Sequence, residues 1–277
     1  MDKREITLGH SPDPDDAFMF YALAADKIET GGLSFRHIIE DIETLNRRAM
    51  NAELDVTAIS IHAYAHVLDR YALLASGASM GDNYGPLVIA REPMTIDDLR
   101  RSTIAIPGEM TTAYLTLRLR LGDVKTMVMP FDKIMDAVER GEVRAGLLIH
   151  EGQLTYAARG FNKVIDLGEW WMAETGLPLP LGGNAIKKSL GPELIGKVSS
   201  LLRESIEYGL GNRETAVRHS MKYGRGMEEK LTDTFVGMYV NDYTIDYGER
   251  GREAVRLLLA RAHEAGIIPR PVELEFV

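Results

Sequence analysis

One short stretch combines a structural signal with a chemical one: Gly141-Glu142-Val143-Arg144-Ala145-Gly146-Leu147-Leu148-Ile149-His150-Glu151. Ala145 to Ile149 has the length and unbroken apolar character of a buried strand in an α/β sheet. The run stops abruptly at a histidine and a carboxylate. His150 then sits at the carboxyl end of a strand, where open α/β sheets place their ligands. With a reference pKa of ~6.5, its neutral imidazole can accept a proton near neutral pH. Two readings of His150 stand side by side, a catalytic base and a strand-end histidine bonded to a backbone carbonyl. Glu151 can orient the imidazole or favour its charged form, although adjacent residues on a strand point oppositely.

Three further loops share the pattern of following a strand and preceding a helix: Ser11–Asp16, Ala58–Ser60 and Gly108–Thr112. Backbone N–H groups at helix N-termini favour anions, and hydroxyls there add directed donors. Ser11, Ser60, Thr111 and Thr112 each have a plain local use as a helix cap. Converging on one cleft with His150, they suit a carboxylate or a polyol.

Other combinations lead elsewhere. Asp13, Asp15 and Asp16 do not continue as a calcium loop, because Phe18 and Ala24 stand where that motif needs glycine and glutamate. These carboxylates read as charges favoured at a helix N-terminus, one of them within reach of a ligand hydroxyl. His62 and His66 are spaced i, i+4 but lack the H-E-x-x-H setting, so a helix face explains them better than a metal. His10 precedes the first loop with its role open. Trp170, Trp171, Tyr156 and Tyr114 can stack on an aromatic ligand or pack in the core. No Walker loop, G-x-G-x-x-G or Ser-His-Asp motif occurs. The absence of cysteine excludes disulfides, thiolate nucleophiles and Cys-ligated metals.

The chain has 277 residues, 45% of them hydrophobic and 26% charged, enough for two compact lobes. A net charge of −9 argues against a nucleic-acid partner or an anionic membrane surface. No apolar run approaches membrane-spanning length. The mixed-charge start Met1-Asp2-Lys3-Arg4-Glu5 lacks the features of a secretory signal, so a cytoplasmic protein is expected. Nothing in the sequence excludes an oligomer.

The elements that must hold these loops can be read in order. Strands are expected at Ile6–Leu8, Leu33–Ile39, Asp55–Ile59, Tyr71–Leu74 and Leu87–Ala90, with a glycine-rich loop over Ser76–Gly85. Helices are expected at Ala17–Lys27, from Asp41, and from Ser60 through Leu68. A strand–helix–strand–helix–strand series then runs over residues 92–178: Thr103–Ile106, Ala113–Leu121, Val124–Met129, Asp132–Glu139 and Ala145–Ile149. From Pro192 the pattern is mainly helical, with Leu194, Val198, Leu201, Leu202 and Ile206 on one face. Alternating strands and helices favour α/β with a mostly parallel sheet. The expected division is lobe 1 over 1–91 and 179–277, with lobe 2 inserted over 92–178 and the ligand cleft between them.

The motifs also resemble a known family. Ser11-Pro12-x-Pro14-x-Asp16 followed by Phe18-x-Phe20-Tyr21-Ala22-Leu23 is similar to the opening of the 1,4-dihydroxy-6-naphthoate synthases of the futalosine route to menaquinone. Glu40-Asp41-Ile42-Glu43-Thr44-Leu45-Asn46, Gly85-Pro86-Leu87-Val88, Thr111-Thr112-Ala113-Tyr114, the Gly141–Glu151 stretch and Thr175-Gly176-Leu177-Pro178-Leu179-Pro180-Leu181-Gly182 extend the resemblance along nearly the whole chain. It implies a two-lobed periplasmic-binding-protein-like fold of type II used as a cytosolic enzyme. It further implies a carbon–carbon lyase that converts cyclic dehypoxanthine futalosine to 1,4-dihydroxy-6-naphthoate and dihydroxyacetone. No metal and no organic cofactor is implied. The resemblance makes His150 the proton acceptor and gives substrate contacts to Ala58, Ile59, Ser60, Thr111 and Thr112, with a small-molecule carboxylate as the partner; the loop reading adds Ser11 and, as the acid within reach of a ligand hydroxyl, Asp15. This chain departs from the usual family opening SPCPND by carrying Asp13 and Asp15, and it has Ala58 where lysine is frequent. The cleft is therefore expected to gain two carboxylates and lose a cation.

Two alternatives belong to the same fold. Chorismate dehydratase, a sister lyase, is disfavoured by the His150-Glu151 stretch and Trp170-Trp171. A non-catalytic solute receptor is disfavoured by the lack of an export leader.

Overall fold

In a computed structural model that describes residues 4–277, eleven strands build two sheets. In chain order the strands are β1 (Arg4–His10), β2 (Leu33–Ile39), β3 (Val56–Ser60), β4 (Tyr71–Leu73), β5 (Ser79–Gly81) and β6 (Leu87–Ala90). They continue as β7 (Ile104–Ile106), β8 (Thr126–Val128), β9 (Ala145–Leu148), β10 (Asn162–Asp166) and β11 (Leu179–Lys187). Met1–Lys3, part of the mixed-charge start, lie outside the described residues. The first sheet has the order β2-β1-β3-β11-β4, with β5 also pairing β11, and the second has the order β10-β6-β9-β7-β8. Each sheet is the centre of one lobe of an α/β fold.

The short apolar runs became strands because both faces of these sheets are covered. β3, β7 and β9 are buried along their whole lengths. The sheets are nevertheless mixed rather than mostly parallel. β1 runs parallel to β2 and β3, and β7 runs parallel to β8 and β9. The antiparallel members are the strands that carry the chain between lobes: β6 pairs antiparallel with β9 and β10, and β11 with β3, β4 and β5. A strand arriving from the other lobe enters its sheet from the opposite end, which no local pattern announces.

Pairing also shifts a boundary. Leu87–Ala90 belongs to the second sheet, so the chain changes sheets between Gly81 and Leu87 rather than at residue 91. The glycine-rich stretch before it is not a free loop, because Ser79–Gly81 pairs with β11. The first helix starts earlier than its apolar spacing suggested, at Pro14, and breaks at Phe20 into Pro14–Met19 and Tyr21–Ala24. The segment after Ser60 is helical only over Ile61–Tyr64. Among the described residues no helix is long and apolar enough to cross a membrane.

One apolar cluster joins the lobes where the chain crosses. It contains Ile59 and Ala185 of the first sheet, Val88, Ile104 and Leu147 of the second, and Trp171. The Trp171 indole N–H donates to Pro178 O at 3.1 Å, and the Arg261 guanidinium lies 5.2 Å from its ring. Trp171 is fully buried, whereas its neighbour Trp170 is only partly so. Trp171→Ala is expected to cost about 3–5 kcal/mol in urea unfolding, and Trp170→Ala much less.

Candidate functional site

The carboxyl ends of four parallel-running strands point into one cavity. The loop after β1 supplies Ser11, Asp13, Asp15 and Asp16, and the end of β3 supplies Ala58, Ile59 and Ser60. From the second lobe come Thr111 and Thr112 after β7, and Ile149 and Gln153 after β9. All seven residues expected to touch substrate therefore line the same cavity. About 110 Å³ of the cavity is open to the centre of a water molecule. Leu181–Asn184 of β11 and Phe235 and Tyr239 of the Glu229–Tyr239 helix complete it.

Cross-lobe hydrogen bonds hold these ends in place. Thr111 caps the Thr112–Leu121 helix, its Oγ1 accepting from Tyr114 N at 3.2 Å while donating to Gly108 O. The Thr112 hydroxyl donates to Leu181 O and accepts from His62 N at 3.3 Å, tying that helix start to the first lobe. Ser60 is not the helix cap its position suggested. Asn46 holds it instead, with Nδ2 donating to Ser60 Oγ at 3.0 Å and Oδ1 accepting from Ser60 N at 2.9 Å. Glu43 reaches across to accept from Met110 N at 3.0 Å. Tyr239 OH donates to Gln153 Oε1 at 2.6 Å, again between lobes.

His150 is placed differently from the expectation. It is buried at the end of β9 but does not line the cavity; Ile149 and Gln153 do. Alternation along an extended chain explains this, since a cavity-facing Ile149 sends the next side chain to the other side. The imidazole lies edge-on to Phe131, ring centres 5.2 Å apart, and its Nδ1 has no partner. The reading of a histidine bonded to a backbone carbonyl is thus not what is seen. Burial lowers the His150 pKa, opposed by the charges of Glu151, Asp13 and Asp132, so the neutral imidazole is the resting form.

Glu151 does not pair with His150. Its Oε2 accepts from Arg225 Nη1 at 2.7 Å, and the same guanidinium donates to Asp13 Oδ1 and Pro12 O. Arg225 also lies 4.7 Å from the centre of the Phe131 ring and holds a left-handed backbone, φ 46°. An outer cleft lined by Pro12, Glu43, Phe131, Asp132 and Arg225 adjoins this group.

Burial raises the carboxyl pKa of Asp16 to about 6, against the Ser11 N–H that donates to its Oδ2 at 2.6 Å. Of the remaining candidates, Trp170, Trp171, Tyr156 and Tyr114 stay outside the cavity. His62 and His66 pack edge to face at 5.6 Å, and among the described residues no group of three His, Cys, Asp or Glu is placed to share a metal. His10 backs the site, its Nδ1 3.0 Å from Ser11 O and its Nε2 3.1 Å from His37 Nδ1. A carbonyl only accepts, so His10 carries its proton on Nδ1 and accepts from His37 at Nε2.

Two lobes joined by crossing strands, with a ligand-sized cavity between strand ends, define the two-lobed architecture of periplasmic solute-binding proteins. The alkanesulfonate-binding protein SsuA of Xanthomonas axonopodis pv. citri shares it, with a TM-score of 0.72 at 10% identity over 98% of this chain and 96% of that one. A solved protein of Archaeoglobus fulgidus is far closer, with a TM-score of 0.92 and 47% identity over 95% of this chain and 98% of its own. Residues 6–264 match the family model described as menaquinone biosynthesis, and the chain belongs to that family. It is 40% identical over 271 residues to the 1,4-dihydroxy-6-naphtoate synthase of Thermus thermophilus, covering 96% of this chain and 98% of the relative. To the Streptomyces coelicolor enzyme of the same name it is 38% identical, covering 95% of each.

Two predictions come from this geometry. A Cβ on Gly152 would lie 3.0 Å from His150 Cε1 and 3.0 Å from Met135 Cε. Gly152→Ala should therefore displace the imidazole or Met135, visible in a crystal structure, with the Ser60 and Thr111 walls unmoved. The second concerns acid stability. Burial lowers the His10 and His62 pKa values from 6.5 to about 4. Between these values the unfolded chain takes protons that the fold refuses, so their contribution to stability is intact above pH 6.5 and lost as pH falls towards 4. Asp16 acts in the opposite sense below pH 6. In thermal melts from pH 7 to 4, His10→Gln should flatten the acid loss of the wild type.

Proposed function

We propose that this protein is a carbon–carbon lyase of menaquinone biosynthesis that converts cyclic dehypoxanthine futalosine to 1,4-dihydroxy-6-naphthoate and dihydroxyacetone. The observation that carries this reading is the near full-length likeness to two enzymes named for the naphthoate product, combined with a cavity whose walls come from both lobes.

In this reading the bicyclic carboxylate occupies the inner cavity. Backbone N–H groups at the start of the Thr112–Leu121 helix offer donors to its anionic end. The part released as dihydroxyacetone extends past Pro12 and Asp13 towards the outer cleft, the side on which the imidazole lies. His150, kept neutral by burial, takes a proton from the substrate. The electron pair left behind drives scission of the carbon–carbon bond, and the dihydroxyacetone portion departs. Seating the reacting portion beside His150 requires the Phe131 and Arg225 side chains to yield, and the cross-lobe bonds exclude water while the proton is held.

General-base transfer by a placed side chain is typically worth ~10²–10⁴-fold. His150→Ala is expected to lose turnover of the cyclic futalosine by that amount while keeping its fold and its affinity for the naphthoate product. Product formation by chromatography and product titration check the two halves. An unimpaired His150→Ala enzyme removes the histidine from the mechanism, and an inert wild type removes the reaction.

A further inference from the structure

The cavity has acidic walls and no cation of its own. Asp13, Asp15 and Asp16 line it, and among the described residues no lysine, arginine or histidine does. The nearby cation, Arg225, is already engaged by Asp13 and Glu151. The three carboxyls are not equivalent. Asp13 accepts from Arg225 at Oδ1 and from the Ser11 hydroxyl at Oδ2, 2.9 Å away. Asp16 accepts the Ser11 N–H. Asp15 keeps some surface on the cavity wall, but its Oδ1 is sealed and has no partner. The groups facing it are Asp13 and Asp16 on its own segment and Tyr239 from the Glu229–Tyr239 helix, none of them a cation.

We propose that Asp15 works as a neutral carboxylic acid that donates its O–H to an oxygen of the bound substrate, and so sets the specificity of the cavity for an oxyanion. The proposal rests on the reading of the ligand as a naphthoate-type carboxylate and deepens it. An ionised Asp15 facing a ligand carboxylate would set two like charges together in a desolvated space. A protonated Asp15 offers that carboxylate a donor, and hydrogen bonds to ionised acceptors are the stronger kind. Of the three acids, Asp13 is held by Arg225 and Asp16 by the Ser11 N–H, whereas Asp15 keeps a buried oxygen with no partner. Burial first, then the charges of Asp16 and Asp13, push its carboxyl well above the usual carboxylate range, outweighing the amides of Asp15 and Asp16. Affinity is therefore full at low pH and falls as rising pH removes the proton.

The test uses the full-length protein with Asp15→Asn and Asp15→Leu. Asparagine keeps a neutral donor at the same place, and leucine keeps the volume without it. In infrared spectra of the ligand-free protein near neutral pH, the wild type should show a protonated-carboxyl stretch that Asp15→Asn lacks. With the cyclic futalosine, KM should rise with pH for the wild type and stay flat for Asp15→Asn. Asp15→Leu should bind about 10- to 100-fold more weakly than Asp15→Asn at every pH, the worth of one hydrogen bond to a charged group. Binding of 1,4-dihydroxy-6-naphthoate should follow the same order. Absence of the carboxyl band, or an Asp15→Asn protein as weak as Asp15→Leu, overturns the proposal. Failure of the wild type to turn over the futalosine counts against the reaction instead, and the infrared band still decides the state of Asp15.

Discussion

The site depends on one hydroxyl. Thr112 opens a helix of the second lobe, yet its Oγ1 lies between Leu181 O and His62 N of the first. That contact sets the helix start against the strand that returns the chain to the first sheet. β11 in turn pairs with β3 in a register that places Gly182 opposite Ser60. The depth of the cavity is thus fixed by backbone pairing and one side-chain bridge. Asn46 and Glu43 add to it from the Ile42–Met50 helix, holding Ser60 on one side and the Met110 amide on the other.

Charge is handled with few means. Ser11 N–H answers Asp16, and the Arg225 guanidinium joins Asp13, Glu151 and the Pro12 carbonyl. The same guanidinium covers Phe131, which packs against His150. A residue held in a left-handed backbone at this junction is a local cost that the ion pairs and the ring contact offset. The charges near the histidine oppose one another, Glu151, Asp13 and Asp132 favouring its protonated form and Arg225 disfavouring it. In that setting, desolvation decides its charge.

Much of the site was legible in the chain because it is built at strand ends. Apolar runs followed by Ser11, Ser60, Thr111 and His150 mark where strands stop, and chain direction carries all four ends to one cavity, which three of those four residues line. What stayed hidden involves partners far apart in sequence. Arg225 meets Asp13 across more than two hundred positions, and Tyr239 meets Gln153 across more than eighty, with no local pattern to announce either. Asn46 had a signal of its own, a polar residue on the buried face of an amphipathic helix, but its partner Ser60 had a simpler use as a cap. The facing of His150 was available from the alternation rule once Ile149 was taken as the cavity residue. The antiparallel entry of β6 and β11 was not, since direction depends on where the chain last left a sheet.

In the proposed reaction the cavity between the lobes seats the naphthoate skeleton with His150 at the bond that breaks. A crystal structure with 1,4-dihydroxy-6-naphthoate bound tests it most directly. The bicyclic ring is expected in the cavity lined by Ser60, Thr111, Thr112 and Asp15, its carboxylate facing the Thr112 helix start and Asp15, with the His150 imidazole brought within hydrogen-bond reach of the ligand edge facing Phe131. A ligand seated elsewhere, or one in the cavity with Ile149 and Gln153 still separating it from the imidazole, would contradict it.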